Sequence, residues 1–599
     1  MVSRSTEART RCRSWQLIIA AWAVSCGSND TSDPIPVVEV TRDFLTEAGA
    51  WRVVQASSLG PAKVEVISPS LSGENDGADM PALVIPPPGE VELVVLPEAL
   101  PARLVTRVGV DLTAFKTLKE VRRVTFEART RDRRLAREEI DLVPEQHREN
   151  VWRDLGGAAG VELDGSEPVW LRTELLDANG NPTMTVEPIL AGFGGLRLER
   201  RSDRPRTPAS RAHPNVVLMV MDTLRADRLS TYGYSRPTAP HLDALARRGV
   251  RFERADSSAS WTWPATASIL TGLRPMEHGV VNEAASYLVE AADTLAEGLQ
   301  GSGFTTAAWS GNPIVSASRN FDQGFEQFWT APGAFQKTGE FFEEVRAFLR
   351  ARRGQRFFLY LHLVEPHTQL RPLAEGIELL AKDVPADFIQ RCDGFWHATS
   401  KGQAVRPGGL MALDEIASPQ ERAWTSELYD ASVWSGDHWL GAVLAELEAL
   451  ELTDQTIVAF SADHGEELFE RGFLGHGQSL KDELVRVPLV LAGPGVPAGQ
   501  VQHRPISTRV LAPLLARLAG IDFAEGGEAL AALLQDQPFE DHVLFSSTKG
   551  SWKGRNNVRL FGITDGTWKL THAVNGAPWG AEPTAEGDWE LIDLSSDAG

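Results

Sequence analysis

At 599 residues the chain is too long for a single hydrophobic core, so two or three domains are expected. A hydrophobic fraction of 42% is that of a soluble globular protein, and a formal charge of −22 excludes the basic face that a nucleic-acid binder needs. The same acidic shell repels anionic substrates, so any such substrate requires a local positive centre such as a metal ion.

Residues 1–26 read as a targeting segment and stand outside fold reasoning. Arg4, Arg9, Arg11 and Arg13 form a basic start, and Leu17 to Val24 form an apolar stretch too short to cross a bilayer as a lasting helix. Ala23-Val24-Ser25-Cys26 follows, then a polar linker over 27–34. This segment resembles a bacterial lipoprotein signal, which implies cleavage before Cys26, a lipid anchor on it, and an exported protein in the periplasm or at the cell surface. A plain secretory signal is the alternative. Cys12, Cys26 and Cys392 are the only cysteines, so with Cys26 acylated Cys392 is the sole free thiol; it has no catalytic role in this reading.

From 35 to 195 the hydrophobic period is two. Val91 and Leu93 alternate with Glu90 and Glu92, Val124, Phe126 and Ala128 with Thr125 and Glu127, and Val169 to Leu175 leads into the hairpin turn Asp177-Ala178-Asn179-Gly180. The expectation is a separate antiparallel β-sandwich. No aromatic platform for sugar is visible in the spacing, so a spacer or packing role is expected for it. Residues 196–213, rich in arginine and proline, read as a linker.

The style changes at Asn215. Val216–Met221 ends at Asp222, Phe357–Leu363 ends at Glu365-Pro366-His367, and Ile457–Ser461 ends at Asp463-His464. Unbroken apolar runs separated by helical segments indicate a parallel sheet covered on both faces, with ligands at the strands' carboxyl ends. Helices are expected at Ala239–Arg248, Ala292–Gly301, Thr338–Arg352 and Ala423–Leu450, and 373–420 reads as an insertion beside the site. Thr262 lies two residues before Pro264, with Ala265–Thr271 behind it as a short helix that starts at Pro264. Thr262 is then placed near orphan amide groups and the positive end of the helix dipole; alone, it equally fits an ordinary cap. Val558–Ile563, Trp568–Leu570 and Trp589–Leu594 suggest a small C-terminal antiparallel subdomain.

Four segments, MDTLRADRLSTYGYSRPTAPHLDALARRGVRFERA, SWTWPATASILTGLRPMEHGV, FFLYLHLVEPHTQL and FSADHGEELFERGFLGHGQSLKDELVRVPLVLAGPG, resemble in that order the sulfatase branch of the alkaline phosphatase superfamily over residues 214–599. The resemblance implies an α/β fold, a mostly parallel mixed sheet sandwiched by helices. It implies that Asp222, Asp463 and His464, with Thr262 Oγ, hold a divalent metal ion. His367, His278 and His476 match positions that contact the substrate anion, the nucleophile or the leaving group, and Glu365 either tunes His367 or reaches the metal. Each histidine and each aspartate, taken singly, also fits a structural role.

Three departures from the family pattern bear on the chemistry. Family sulfatases oxidise a Cys or Ser, followed by x-Pro-x-Arg, to formylglycine; here the run is Thr262-Trp263-Pro264-Ala265-Thr266, and threonine is not a substrate for that oxidation. A hydrated aldehyde expels sulfate through its second hydroxyl, a route an alcohol lacks, which tilts the chemistry toward phosphorus. Thr223 replaces the second Asp of the family's Asp-Asp and His464 an Asn, so nitrogen replaces oxygen and Mn²⁺ or Zn²⁺ is favoured over Ca²⁺. The expected function is an exported, metal-dependent hydrolase of phosphate, phosphonate or sulfate esters with Thr262 as nucleophile, acting on a small-molecule, glycan or lipid head-group ester. The alternatives are a true sulfatase or phosphoglycerol-type transferase on the same fold, and a non-catalytic glycan-binding surface lipoprotein.

Overall fold

The structure is a computed structural model of the chain. It describes residues 34–594 except 46, 48, 58, 68–79, 112–121, 143–151, 158–159, 164, 166, 186–188, 282–286, 333–334, 368, 400–417, 472–473, 478, 524–533, 535–542, 548–558 and 575–587. The targeting segment, with Cys26, and nearly all of the 27–34 linker lie outside the described residues.

The N-terminal region is a sandwich of a seven-stranded and a six-stranded sheet, antiparallel in every described pairing. Alternation produces it: along Gly89–Leu93 the odd positions are buried and Glu90 and Glu92 are half-buried. Phe126 from one sheet meets Phe193 from the other edge to face, 5.4 Å between centroids. The expected hairpin turn forms, with Asp177 Oδ1 accepting from Asn179 N at 2.8 Å and Gly180 at a φ of 83°.

The linker expected at 196–213 is shorter than the composition implied. Strand Leu190–Arg204 runs through its first half, pairing with Ile35–Asp43 and Ala102–Asp111. Arginines at 197, 200, 201 and 204 give the segment the composition of a linker, yet Arg197 is committed to ion pairs with Glu199 and Glu290. Even the remainder is fastened: Arg206 pairs with Glu326 at 2.8 Å, and Arg356 N donates to Thr207 O at 2.7 Å.

The second domain is built on an eight-stranded sheet ordered Gln327–Thr330, Thr305–Ser310, Phe357–Leu363, Asn215–Met221, Thr456–Ser461, Leu489–Ala492, Gly249–Phe252, Gln500–Gln502. Leu489–Ala492 runs antiparallel to both its neighbours and the other pairings are parallel. The three expected strands are its centre, fully buried on both faces as their unbroken apolar runs require. Helices Pro240–Arg247, Leu295–Gly301, Phe342–Ala351 and Pro419–Ala449 occupy the expected segments. Within the insertion, Ala374–Leu380 and Ala386–Thr399 are helical. A four-stranded antiparallel sheet, Val543–Ser547, Arg559–Thr564, Trp568–Val574 and Asp588–Asp593, forms the C-terminal subdomain. No helix among the described residues is long and apolar enough to cross a membrane.

The helix after Trp261 spans Thr262–Thr271, beginning two residues earlier than expected, so Pro264 is its third residue. Proline is tolerated there because no first-turn N–H has an intrahelical acceptor.

Candidate active site and metal centre

The parallel strands deliver their side chains to one rim. Asp222 follows the central strand, and Thr223 turns the chain with a φ of 60°, a strained conformation for a β-branched residue. The turn is clamped: Tyr429 Oη donates to Thr223 O at 2.6 Å and accepts from Arg225 N at 3.0 Å. On the adjacent strand, Asp463 Oδ1 accepts from His464 N at 2.8 Å and Thr223 N at 3.3 Å, which ties the two strand ends together. Gly465 is required next, since a Cβ there would lie 1.9 Å from the backbone oxygen of Glu483.

Asp222, His362 and Asp463 are all buried and present ligating atoms within 4.8 Å of one another. Asp222 Oδ1 and Asp463 Oδ2 have no hydrogen bond, a costly state for buried carboxylate oxygens. His464 Nε2 lies 3.5 Å from each of these atoms, and His362 Nε2 lies 3.5 Å from Asp222 Oδ2 and 3.9 Å from Asp463 Oδ2. His464 Nδ1 faces Gly465 O at 2.9 Å and so carries the proton, leaving the Nε2 lone pair turned to the carboxylates. Asn312 Nδ2 donates to Asp222 Oδ2 at 2.6 Å.

The electrostatics agree with a cation-binding set. Burial opposes ionisation of Asp222, yet the neighbouring imidazoles of His367 and His362 hold its carboxyl well below the usual carboxylate range. Burial and then the Asp222 charge push Asp463 well up. Burial, followed by repulsion from His476, keeps His464 neutral, the form that binds metals. Two carboxylates that cannot both ionise comfortably, two orphaned oxygens and a neutral imidazole fit a divalent cation.

Thr262 is 2% exposed, and its Oγ1 lies 3.2 Å from His464 Nε2. It is not a cap: Trp261 occupies that position, and no side-chain capping bond is made. The His476 ring lies 4.5 Å from that of His464 and 5.3 Å from that of His367, and its Nδ1 donates to Glu466 Oε1 at 2.8 Å. Phe335 covers His367 at 4.2 Å between centroids. Lys337 Nζ holds the loop behind it through Val364 O and Glu365 O at 2.6 and 3.0 Å. Glu365 Oε1 accepts from Thr338 N at 2.8 Å, and Glu365 does not belong to the group of ligating atoms.

Asp222, Thr262, Asp463 and His464 are thus brought together, with His476 and His367 beside them. His278 is placed differently. Its Nε2 lies 3.0 Å from Ser268 Oγ in the Thr262 helix, its Nδ1 accepts from Val280 N at 3.1 Å, and burial lowers its pKa to about 3. Those contacts hold it against the Thr262 helix, with hydrogen bonds to Ser268 and Val280, where the resemblance implies a contact with the substrate anion, the nucleophile or the leaving group. His362, Asn312, Glu466 and Lys337 were not singled out in the sequence; Asn312 follows the strand Thr305–Ser310 by two residues, on the same rim as the other strand ends.

The Sulfatase family profile matches residues 214–521, just over half of the chain. An ulvan-active sulfatase from Formosa agariphila is 28% identical over 344 residues, covering 54% of this chain and 65% of that protein. A choline-sulfatase from Rhizobium meliloti is 25% identical over 411 residues, covering 60% of this chain and 78% of that protein. Among solved structures, a phosphonate monoester hydrolase from Silicibacter pomeroyi shares the fold with a TM-score of 0.51 at 18% identity, covering 64% of this chain and 90% of that one. With its mixed sheet, its strand-end acids and histidines and that profile, the chain belongs to the sulfatase family of the alkaline phosphatase superfamily.

Proposed function

We propose that the protein is a metal-dependent hydrolase of phosphate, phosphonate or sulfate esters that uses Thr262 as its nucleophile. The observation that carries this reading is the buried Thr262 hydroxyl, 3.2 Å from His464 Nε2 on the rim that holds both orphaned carboxylate oxygens. Asp222, Asp463, His464 and Thr262, with His362, would hold the cation, and a bound Mn²⁺ or Zn²⁺ supplies Lewis-acid stabilisation of the alkoxide and of the ester's negative charge. Thr262 gives its hydroxyl proton to solvent as Oγ forms a bond to phosphorus or sulfur and the bond to the leaving oxygen breaks, and a protonated His367 gives that oxygen its proton. His476, oriented by Glu466, faces the charge that develops on the transferred group. Water then attacks the threonyl ester at phosphorus or sulfur and restores the Thr262 hydroxyl.

Phosphorus is favoured because threonine has no second hydroxyl with which to expel sulfate. The named activities of the relatives favour the second reading, a sulfate ester opened by the same hydroxyl. The substrate in either case is a small-molecule, glycan or lipid head-group ester. The basic start and Cys26 support an exported, lipid-anchored enzyme, and mass analysis of the mature N-terminus tests that placement.

The central experiment is turnover of aryl phosphate, phosphonate and sulfate esters with Mn²⁺, Zn²⁺ or Ca²⁺, with peptide mapping after rapid quench. The expected result is phosphoester turnover and a transferred group on the peptide that contains Thr262. Turnover undiminished in Thr262→Ala removes threonine from the mechanism, and sulfate cleaved faster than both phosphorus esters reverses the preference.

A further inference from the structure

The contacts between the two domains converge on the site. Arg197, on the sandwich strand Leu190–Arg204, pairs with Glu199 at 2.8 Å and with Glu290 of the second domain at 3.1 Å, its side chain 19% and that of Glu290 7% exposed. Arg103 closes the row on Glu199 at 2.7 Å. Glu290 Oε1 also accepts from Asn320 Nδ2 at 2.8 Å, and the same amide nitrogen donates to Leu288 O at 2.8 Å. Asn320 is held at a φ of 67°. A second sandwich arginine, Arg107, donates to Ala317 O at 3.4 Å.

The segment gripped in this way carries three site supports. Arg319 lies over the ring of Trp263, 4.1 Å from its centroid, and Trp263 Nε1 donates to Ile314 O at 2.8 Å. Trp263 adjoins Thr262. Asn312, at the start of the segment, is the group that donates to Asp222, and its Oδ1 accepts from Ile314 N at 3.0 Å. An unbroken series of bonded or packed groups therefore runs from Arg197 to both the nucleophile and a metal-site carboxylate.

We infer that the N-terminal β-sandwich is a positioning element of the active site, holding residues 312–322 so that Trp263 and Asn312 fix Thr262 and Asp222. Charge makes this grip specific. A guanidinium largely withdrawn from water between two carboxylates cannot lose one of them without a penalty, which favours one register of the interface. The fastened 205–213 segment, pinned through Arg206 to Glu326, removes the slack that an independent module would need. Of the spacer and packing roles expected for the sandwich, it takes the packing role and extends it to the site.

Two measurements on the full chain test this. Hydrogen exchange of Arg197→Ala should rise locally in peptides covering 312–322 and 262–271, and kcat on the best aryl ester should fall roughly 2- to 30-fold with KM little changed. The exchange arm does not rest on the hydrolase reading, and the kinetic arm does, so the two failures are distinguishable. Should Arg197→Ala fail to fold, Arg107→Ala, which loses the bond to Ala317 O and a partly exposed ion pair with Asp154 inside the sandwich, should raise exchange in 312–322 without raising it in 262–271. Unchanged protection in both segments, or a loss spread evenly over the chain, overturns the inference.

Discussion

At the scale of single residues, the threonine and the histidine beneath it have separable roles. In the proposed mechanism, removing the Thr262 hydroxyl deletes the attacking atom but leaves Asp222, Asp463, His464 and His362 in place. Thr262→Ala should therefore lower kcat by about 10³-fold or more while part of the metal affinity survives in a calorimetric titration. Thr262→Ser keeps the oxygen and should retain measurable turnover. His278 acts through stability. Burial holds its pKa at about 3, far below the ordinary 6.5, so the folded protein refuses a proton that the unfolded chain accepts. The stabilisation is complete above pH 6.5 and is lost as pH falls toward 3, by about 1.4 kcal/mol per pH unit at most. His278→Gln keeps a donor for Ser268 but cannot take up that proton, so it should flatten the fall in Tm between pH 6.5 and pH 5. An unchanged slope would move the acid sensitivity to another group.

At the scale of elements, the site is an assembly of strand ends held in register by neighbours that do no chemistry. Asn312 is such a neighbour. It pins one oxygen of Asp222 and leaves the other turned to the metal position. Asn312→Ala should keep the fold and weaken Mn²⁺ or Zn²⁺ binding about 10- to 100-fold, read by titration of the metal-free protein. An unaltered affinity would mean that Thr223 and its Tyr429 clamp orient Asp222 without help. The strand ends were legible because three mostly apolar runs, followed within a few residues by Asp222, by Glu365 and His367, and by Asp463-His464, are hard to produce by chance. His362 escaped notice because it sits inside its run, between Leu361 and Leu363, where a histidine reads as one more buried strand residue; its partner Tyr360, 2.8 Å away, is two positions back on the same strand. Asn312 escaped because Thr305–Ser310 is short and rich in small and polar residues. The 196–204 strand escaped for an electrostatic reason, since composition cannot tell a solvated arginine from one committed to Glu199 and Glu290.

At the scale of the whole molecule, two hydrophobic cores, one around Phe126 and Phe193 and one around the eight-stranded sheet, would ordinarily melt separately. The largely buried Arg197–Glu290 pair and the fastened 205–213 segment argue for a different outcome. If the sandwich and the catalytic domain are one cooperative unit, a metal ion that touches only the catalytic domain must stabilise both. At about a thousand times Kd, a ligand that binds only the folded state adds about 4 kcal/mol. Scanning calorimetry of the metal-free and metal-loaded protein should then show a single endotherm that moves up by several degrees on loading and moves back with a chelator. Two carboxylates buried side by side make the metal-free form the weaker one, because without a cation one of them must hold a proton or both must repel. In Arg197→Ala the endotherm should divide, with only the catalytic transition following the metal. Two transitions already present in the unaltered protein, with one indifferent to metal, would show that the interface does not join the two cores.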